Sequence, residues 1–167
     1  MSAPGAVDVR LVRFPVATAR ALVAGTLVRP ADWHPEFPTG DTFSAAHHLL
    51  GAHEALDVDP ERSPWWFFAL VVDATVVGDT GFHGPPPADG LAEVEIGYQV
   101  VPGYRGRGVA TRACALLLEH AWRHGAELVL AETEPENVAS RAVLRANGFR
   151  PRARGDFAVE APVGVRT

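Results

Sequence analysis

The stretch that most constrains this chain is Gly97-Tyr98-Gln99-Val100-Val101-Pro102-Gly103-Tyr104-Arg105-Gly106-Arg107-Gly108-Val109-Ala110-Thr111. It reads as a strand, a glycine-rich turn carrying two arginines, and a helix that starts at the last glycine. That order aims free backbone N–H groups and the positive end of a helix dipole at one small volume. Such a volume suits an anion, above all the diphosphate of a nucleotide-bearing cofactor.

The rest of the chain narrows the class. Its 167 residues suit a single domain, 1–167, large enough for a core. No run of about 18 uncharged apolar residues occurs, so no membrane span is expected. Met1 to Ala6 lack a basic region followed by an apolar run, so no signal peptide is expected and a cytoplasmic location is. The net charge of −5 disfavours nucleic acid as a partner, because that needs a basic face. All fifteen cationic side chains are arginine, so any anion is held by arginine and backbone. The single cysteine, Cys114, excludes an internal disulfide and any multi-cysteine metal site, and its Ala/Leu-rich helical surroundings read as core. His47, His48 and His53 cluster in one helix without i,i+4 spacing on a common face, so no metal site is expected.

Periodicity orders the elements. Val7–Phe14 alternates as a strand, Val16–Val28 and Thr42–Leu56 follow as helices, and Trp65–Val72 is an apolar run fitting a strand covered on both faces. Val76–Phe82 reads as its hairpin partner, and Leu91–Val101 as the next strand. Alternation puts Glu93, Glu95, Gly97, Gln99 and Val101 on one face of that strand. Val109–His124 is a helix, Leu128–Thr133 a strand, and a helix through Ser140 and Leu144 closes at Asn147-Gly148. Phe149–Arg154 and Phe157–Val163 read as a final pair of short strands, candidates for pairing across a homodimer. The order predicts a mixed α/β sheet rather than a regular doubly wound one.

Arg105-Gly106-Arg107-Gly108-Val109-Ala110 resembles the Arg-x-x-Gly-x-Ala signature of the Gcn5-related N-acetyltransferases, the GNAT superfamily. Three further stretches stand in register with it: Glu95-Ile96-Gly97-Tyr98 upstream, Pro135-Glu136-Asn137-Val138-Ala139-Ser140 downstream, and Asn147-Gly148-Phe149 after the next helix. The chain is most similar to the branch of ribosomal-protein N-terminal acetyltransferases. The resemblance implies a central sheet of six to seven strands, splayed between the fourth and fifth, with about four helices around it.

It also implies acetyl-CoA as cofactor, with pantetheine lying in the gap between the strands around Val100 and Leu130. A bulge at the end of the first of them would free Val100 and Val101 for the amide arm, and a backbone N–H at Val101 would polarise the thioester carbonyl. The diphosphate would meet the amides of Arg105, Gly106, Arg107, Gly108, Val109, Ala110 and Thr111, where the two glycines leave room for phosphate. Asn137 would bond the pantetheine arm, with Ser140 or Arg141 near the diphosphate; as plain residues, Asn137 and Ser140 also fit helix caps.

The implied reaction is direct attack of an amine on the thioester, which needs a base. Glu95 and Glu132 are the candidates, with Glu93 a third. The tyrosine that serves as general acid in the family is replaced by Leu144, and neither Tyr98 nor Tyr104 aligns with it. The thiolate is then protonated by water or leaves unassisted. That departure keeps open a second reading, a non-enzymatic acyl-CoA-binding sensor. His83, Trp33, Trp65 and Phe82 are candidates for lining the amine site, whose occupant the sequence leaves open.

Overall fold

A computed structural model describes residues 7–152 and 156–162 of the chain. Its elements are β1 (Arg10–Arg13), α1 (Val16–Ala24), α2 (Gly40–Ala55), β2 (Phe67–Val72), β3 (Thr75–Phe82), β4 (Glu93–Val100), α3 (Val109–Arg123), β5 (Leu128–Glu132), α4 (Val138–Ala146), β6 (Arg150–Pro151) and β7 (Asp156–Glu160). The seven strands form one sheet in the order β1-β2-β3-β4-β5-β7-β6. Only the β4–β5 pair is parallel. The mixed α/β architecture is therefore the one that the order of elements predicts.

Boundaries move where local chemistry ends an element. The first helix stops at Ala24, short of Val28, because Gly25 adopts φ 67° and closes the last turn. The second opens at Gly40, where the Thr39 N–H donates to Thr42 Oγ1 at 3.1 Å. The predicted strand ends at Arg154 and Val163 lie outside the described residues. Within them, β7 sits between β5 and β6 and is paired on both sides, so it has no free edge for a partner.

Each face of the sheet carries a core. The α1 and α2 side buries Phe14, Leu22, Leu49, Trp66 and Val77, and the α3 and α4 side buries Ile96, Leu117, Leu144 and Phe157. The fully buried Trp66 donates its indole N–H to the Phe14 carbonyl at 2.8 Å. These two cores pack against both faces of β2, β3 and β4, and the site is built on these strands.

The decisive feature lies between β4 and β5. They pair in register only from Glu93 to Glu95, against Leu128 to Leu130. From Ile96 to Val100, β4 is registered on β3 alone. The sheet therefore opens into a gap in its middle.

Candidate active site

Backbone direction decides what the gap offers. The Val101 N–H donates to the Val77 carbonyl, and the His83 N–H to the Glu95 carbonyl, both at 2.9 Å. In an antiparallel pair the bonding groups alternate between neighbours. The polar backbone of Glu95, Gly97, Gln99 and Val101 thus faces β3, and that of Ile96, Tyr98 and Val100 faces the gap. This corrects the expectation for Val101, whose N–H is already spent within the sheet. The expected bulge is also elsewhere: β3 and β4 stay in register from Gly78↔Val100 to Phe82↔Ile96, and the irregularity falls at Leu70 and Val71 of β2.

A cavity of about 540 Å³ runs from this gap to the start of α3. Nine of the expected cofactor residues line it: Val100, Arg105, Gly106, Gly108, Val109, Ala110, Thr111, Asn137 and Ser140. Val101, Arg107 and Arg141 do not. Val101 is fully buried, Arg107 lies over the Tyr104 ring at 4.9 Å, and Arg141 donates to the Pro135 carbonyl at 2.9 Å. Gly106 and Gly108 adopt φ 70° and 80°, which a side chain would strain. Gly108 caps α3 without a side-chain bond, and no acidic residue occupies the first turn. Among the described residues the first N–H groups of α3 therefore have no partner, and they reach the cavity as a cradle for an anion.

Several of the lining residues also have structural duties. Asn137 Oδ1 accepts from the Ser140 N–H at 3.0 Å, so it is a helix cap on the cavity wall. The Ser140 hydroxyl lies 2.8 Å from the Tyr98 hydroxyl, and Arg105 Nε donates to the Val100 carbonyl at 2.9 Å.

A second cavity, of about 710 Å³, lies on the other face of β3 and β4 beneath α2. The two cavities share Asp41, Tyr98 and Gln99. The floor of the second is the Gly81↔Gly97 pair. A Cβ at Gly81 would stand 2.5 Å from Phe67 Cα, so that position needs glycine, while one at Gly97 would stand 3.0 Å from His83 Nε2 and displace the ring. At one end of this floor His83 Nδ1 lies 3.2 Å from Glu95 Oε1. That hydrogen bond holds the Glu95 carboxyl below the usual glutamate range, against the opposing effect of burial.

At the other end stands Asp79, paired in register with Gln99. Asp79 is 5% exposed, and its Oδ2 accepts from Thr42 Oγ1 at 2.7 Å and from Gln99 Nε2 at 2.8 Å. The Thr39 hydroxyl in turn donates to Gln99 Oε1. Burial pushes the Asp79 carboxyl up to about 7, the two hydrogen bonds oppose the shift, and nearby Asp41 adds to it.

Of the residues expected around the amine, Glu95, Glu132, His83 and Phe82 line this cavity. Glu93 does not; it pairs with Leu128 beyond the gap. Trp33 packs on Phe14 and Phe37, and Trp65 packs edge-on against Phe82 at 5.1 Å, so both are core residues. Sequence reading missed Asp79 and Gln99. The available signal was a carboxylate within Val77-Gly78-Asp79-Thr80-Gly81-Phe82, an otherwise small and apolar strand.

The model of the acetyltransferase (GNAT) domain family matches residues 15–150. The chain belongs to the GNAT acetyltransferase family. Among curated proteins there is no match. Solved structures share the GNAT fold. RimJ of Mycobacterium smegmatis, in complex with CoA-disulfide, is 24% identical over 93% of this chain and 83% of its own, with a TM-score of 0.62. The ribosomal-protein-S5-alanine acetyltransferase of Vibrio fischeri is 18% identical over 95% of each chain, with a TM-score of 0.60. The acetyltransferase yncA of Salmonella typhimurium, solved with acetyl-CoA, is 18% identical over 95% of this chain and 96% of its own, with a TM-score of 0.59.

In this GNAT domain Leu144 is fully buried in the core, so its position offers no proton. Burial pushes the Cys114 thiol up to about 12, which removes the only thiol as a nucleophile. Tyr98 is the phenol that lines both cavities, and burial pushes it up to about 12 as well. No helix among the described residues is long and apolar enough to cross a membrane.

Proposed function

We propose that this chain transfers the acetyl group of acetyl-CoA directly to a primary amine. The observation that carries the reading is the meeting of two cavities at Tyr98 and Gln99, beside the break in the sheet. One presents unpaired helix N–H groups, and the other presents carboxylates.

Acetyl-CoA, when bound, supplies a thioester carbonyl and a thiolate leaving group. Arg105, Gly106 and Gly108 to Thr111 hold the diphosphate, in a loop whose glycines let phosphate approach the backbone. Ile96, Tyr98 and Val100 turn their polar backbone groups to the pantetheine. The Tyr98 N–H stands where the cavities meet, so it takes the polarising role expected of Val101.

The amine lies on the cavity side of His83 Nε2, beside Gly97. Glu95 accepts only, so the bonded Nδ1 is the donor and Nε2 keeps the lone pair. His83 then takes a proton from the ammonium, and Glu95 positions the ring and balances the resulting charge. Glu132 faces the same volume from β5 and is the second carboxylate available to the ammonium. The freed nitrogen bonds to the carbonyl carbon, the C–S bond breaks, and a second nitrogen proton neutralises the thiolate.

Calorimetry tests the first half of this reading. Wild type should bind acetyl-CoA in the micromolar range. Gly108→Val should weaken it at least tenfold, because the substitution strains φ 80° and fills the phosphate approach. Equal affinity in both proteins would remove the diphosphate site from this loop.

A further inference from the structure

The acceptor cavity is acidic in an unusual way. Asp41, Asp79, Glu95 and Glu132 line it, and no arginine among the described residues does. Its floor is bare at the Gly81↔Gly97 pair and ends in one polar pair on either side, His83 with Glu95 and Asp79 with Gln99.

Asp79 is not consumed by the network that holds it. Both its hydrogen bonds fall on Oδ2. Among the described residues Oδ1 accepts none, and it is not one of the sealed-off atoms, so this oxygen of a 95% buried residue opens onto the cavity it lines. An open carboxylate oxygen in a desolvated site is costly alone and favourable against a cation.

The structure assigns Asp79 to a second ammonium group on the substrate: the acceptor is a linear diamine or polyamine, acetylated at one end and held at the other. The assignment rests on the amine-acetyltransferase reading above and names its substrate class. With the reacting nitrogen at His83 Nε2, beside Gly97, the second nitrogen reaches the Asp79–Gln99 pair two strand residues away, about 7 Å along the sheet. That separation suits an aliphatic spacer of a few carbons. Asp41 lines the junction of the two cavities and adds negative charge beside Asp79. Gln99, whose oxygen is engaged by Thr39, can only donate to Asp79, so it fixes the carboxylate without competing for the cation.

The test compares putrescine, a diamine, with n-butylamine, its monoamine counterpart. CoA release should show kcat/KM at least tenfold higher for putrescine, and Asp79→Asn should reduce that ratio at least tenfold. Calorimetry on the CoA-loaded protein should show putrescine binding that Asp79→Asn weakens. It reads the assignment without any turnover. Thermal unfolding of Asp79→Asn checks that the variant is folded. Equal use of both amines by wild type, or an unchanged ratio in a folded Asp79→Asn, would overturn the assignment while leaving amine acetylation standing. Tight putrescine binding lost in Asp79→Asn, with no product from any amine, would uphold the assignment and sink the acetyltransfer reading instead.

Discussion

Replacing His83 with alanine should lower kcat/KM for amine acetylation about a hundred- to ten-thousand-fold, the usual contribution of a positioned general base. The reason is the substrate's charge. A primary amine with an ordinary pKa near ~10.4 arrives as ammonium at neutral pH and has no lone pair to attack with. His83 Nε2 stands over the Gly97 floor next to Tyr98, where the two cavities meet, and its other nitrogen is held by Glu95 at 3.2 Å. Without the imidazole, reactive amine must come from solution. The rate of His83→Ala should then climb about tenfold per pH unit up to the amine's own pKa. Glu95→Gln should lower kcat and leave amine KM and acetyl-CoA affinity near wild type, because the amide still accepts from Nδ1 but no longer balances the charge. Glu95→Asp should recover part of the loss. An unchanged kcat and pH profile in both His83→Ala and Glu95→Gln would move the proton transfer to Glu132.

The second large effect concerns stability. The Asp79 carboxyl is raised from 3.8 to about 7 by burial, so in the folded chain it binds a proton that the unfolded chain has already released. Its favourable contribution is complete below about pH 4 and is lost as pH rises through about 7. Each pKa unit corresponds to about 1.36 kcal/mol, so the wild-type protein should forfeit on the order of 4 kcal/mol across that window. Asp79→Asn removes the titration and keeps an oxygen for Thr42 and Gln99. Denaturant unfolding should find the variant more stable than wild type at pH 8 and close to it at pH 4. A carboxylate whose removal stabilises the protein and damages diamine selectivity belongs to the substrate, since strain at functional sites is commonly maintained against stability. If Asp79→Asn is less stable than wild type by the same amount at both pH values, Asp79 is a structural tether for α2.

The parts of this protein that are readable in the sequence are local ones. The strand–turn–helix at 97–111 is set by neighbouring residues: glycines at φ 70° and 80°, an uncapped helix start and an apolar helical period. The element order followed for the same reason. The role of Val101 is implied by the resemblance alone, and alternation along the strand cannot check it, because it reports where side chains point, not which neighbouring strand receives the N–H. That second direction is settled by the β3–β4 register, which puts Val101 against Val77. Asp79 escaped because its significance is wholly non-local. It depends on β3 pairing with β4 at Gln99 and on α2 bringing Thr42 down onto both. Trp33 and Trp65 are expected near the substrate from their place in the chain order, whereas packing buries each among other aromatic rings.

The most direct measurement is CoA release from acetyl-CoA with a panel of primary amines, with mass spectrometry of the amine product. The account predicts one CoA released for each N-acetylated amine formed, with putrescine among the best acceptors. Binding of acetyl-CoA with no acetylated product from any amine would contradict it and make the chain a binding module rather than a transferase.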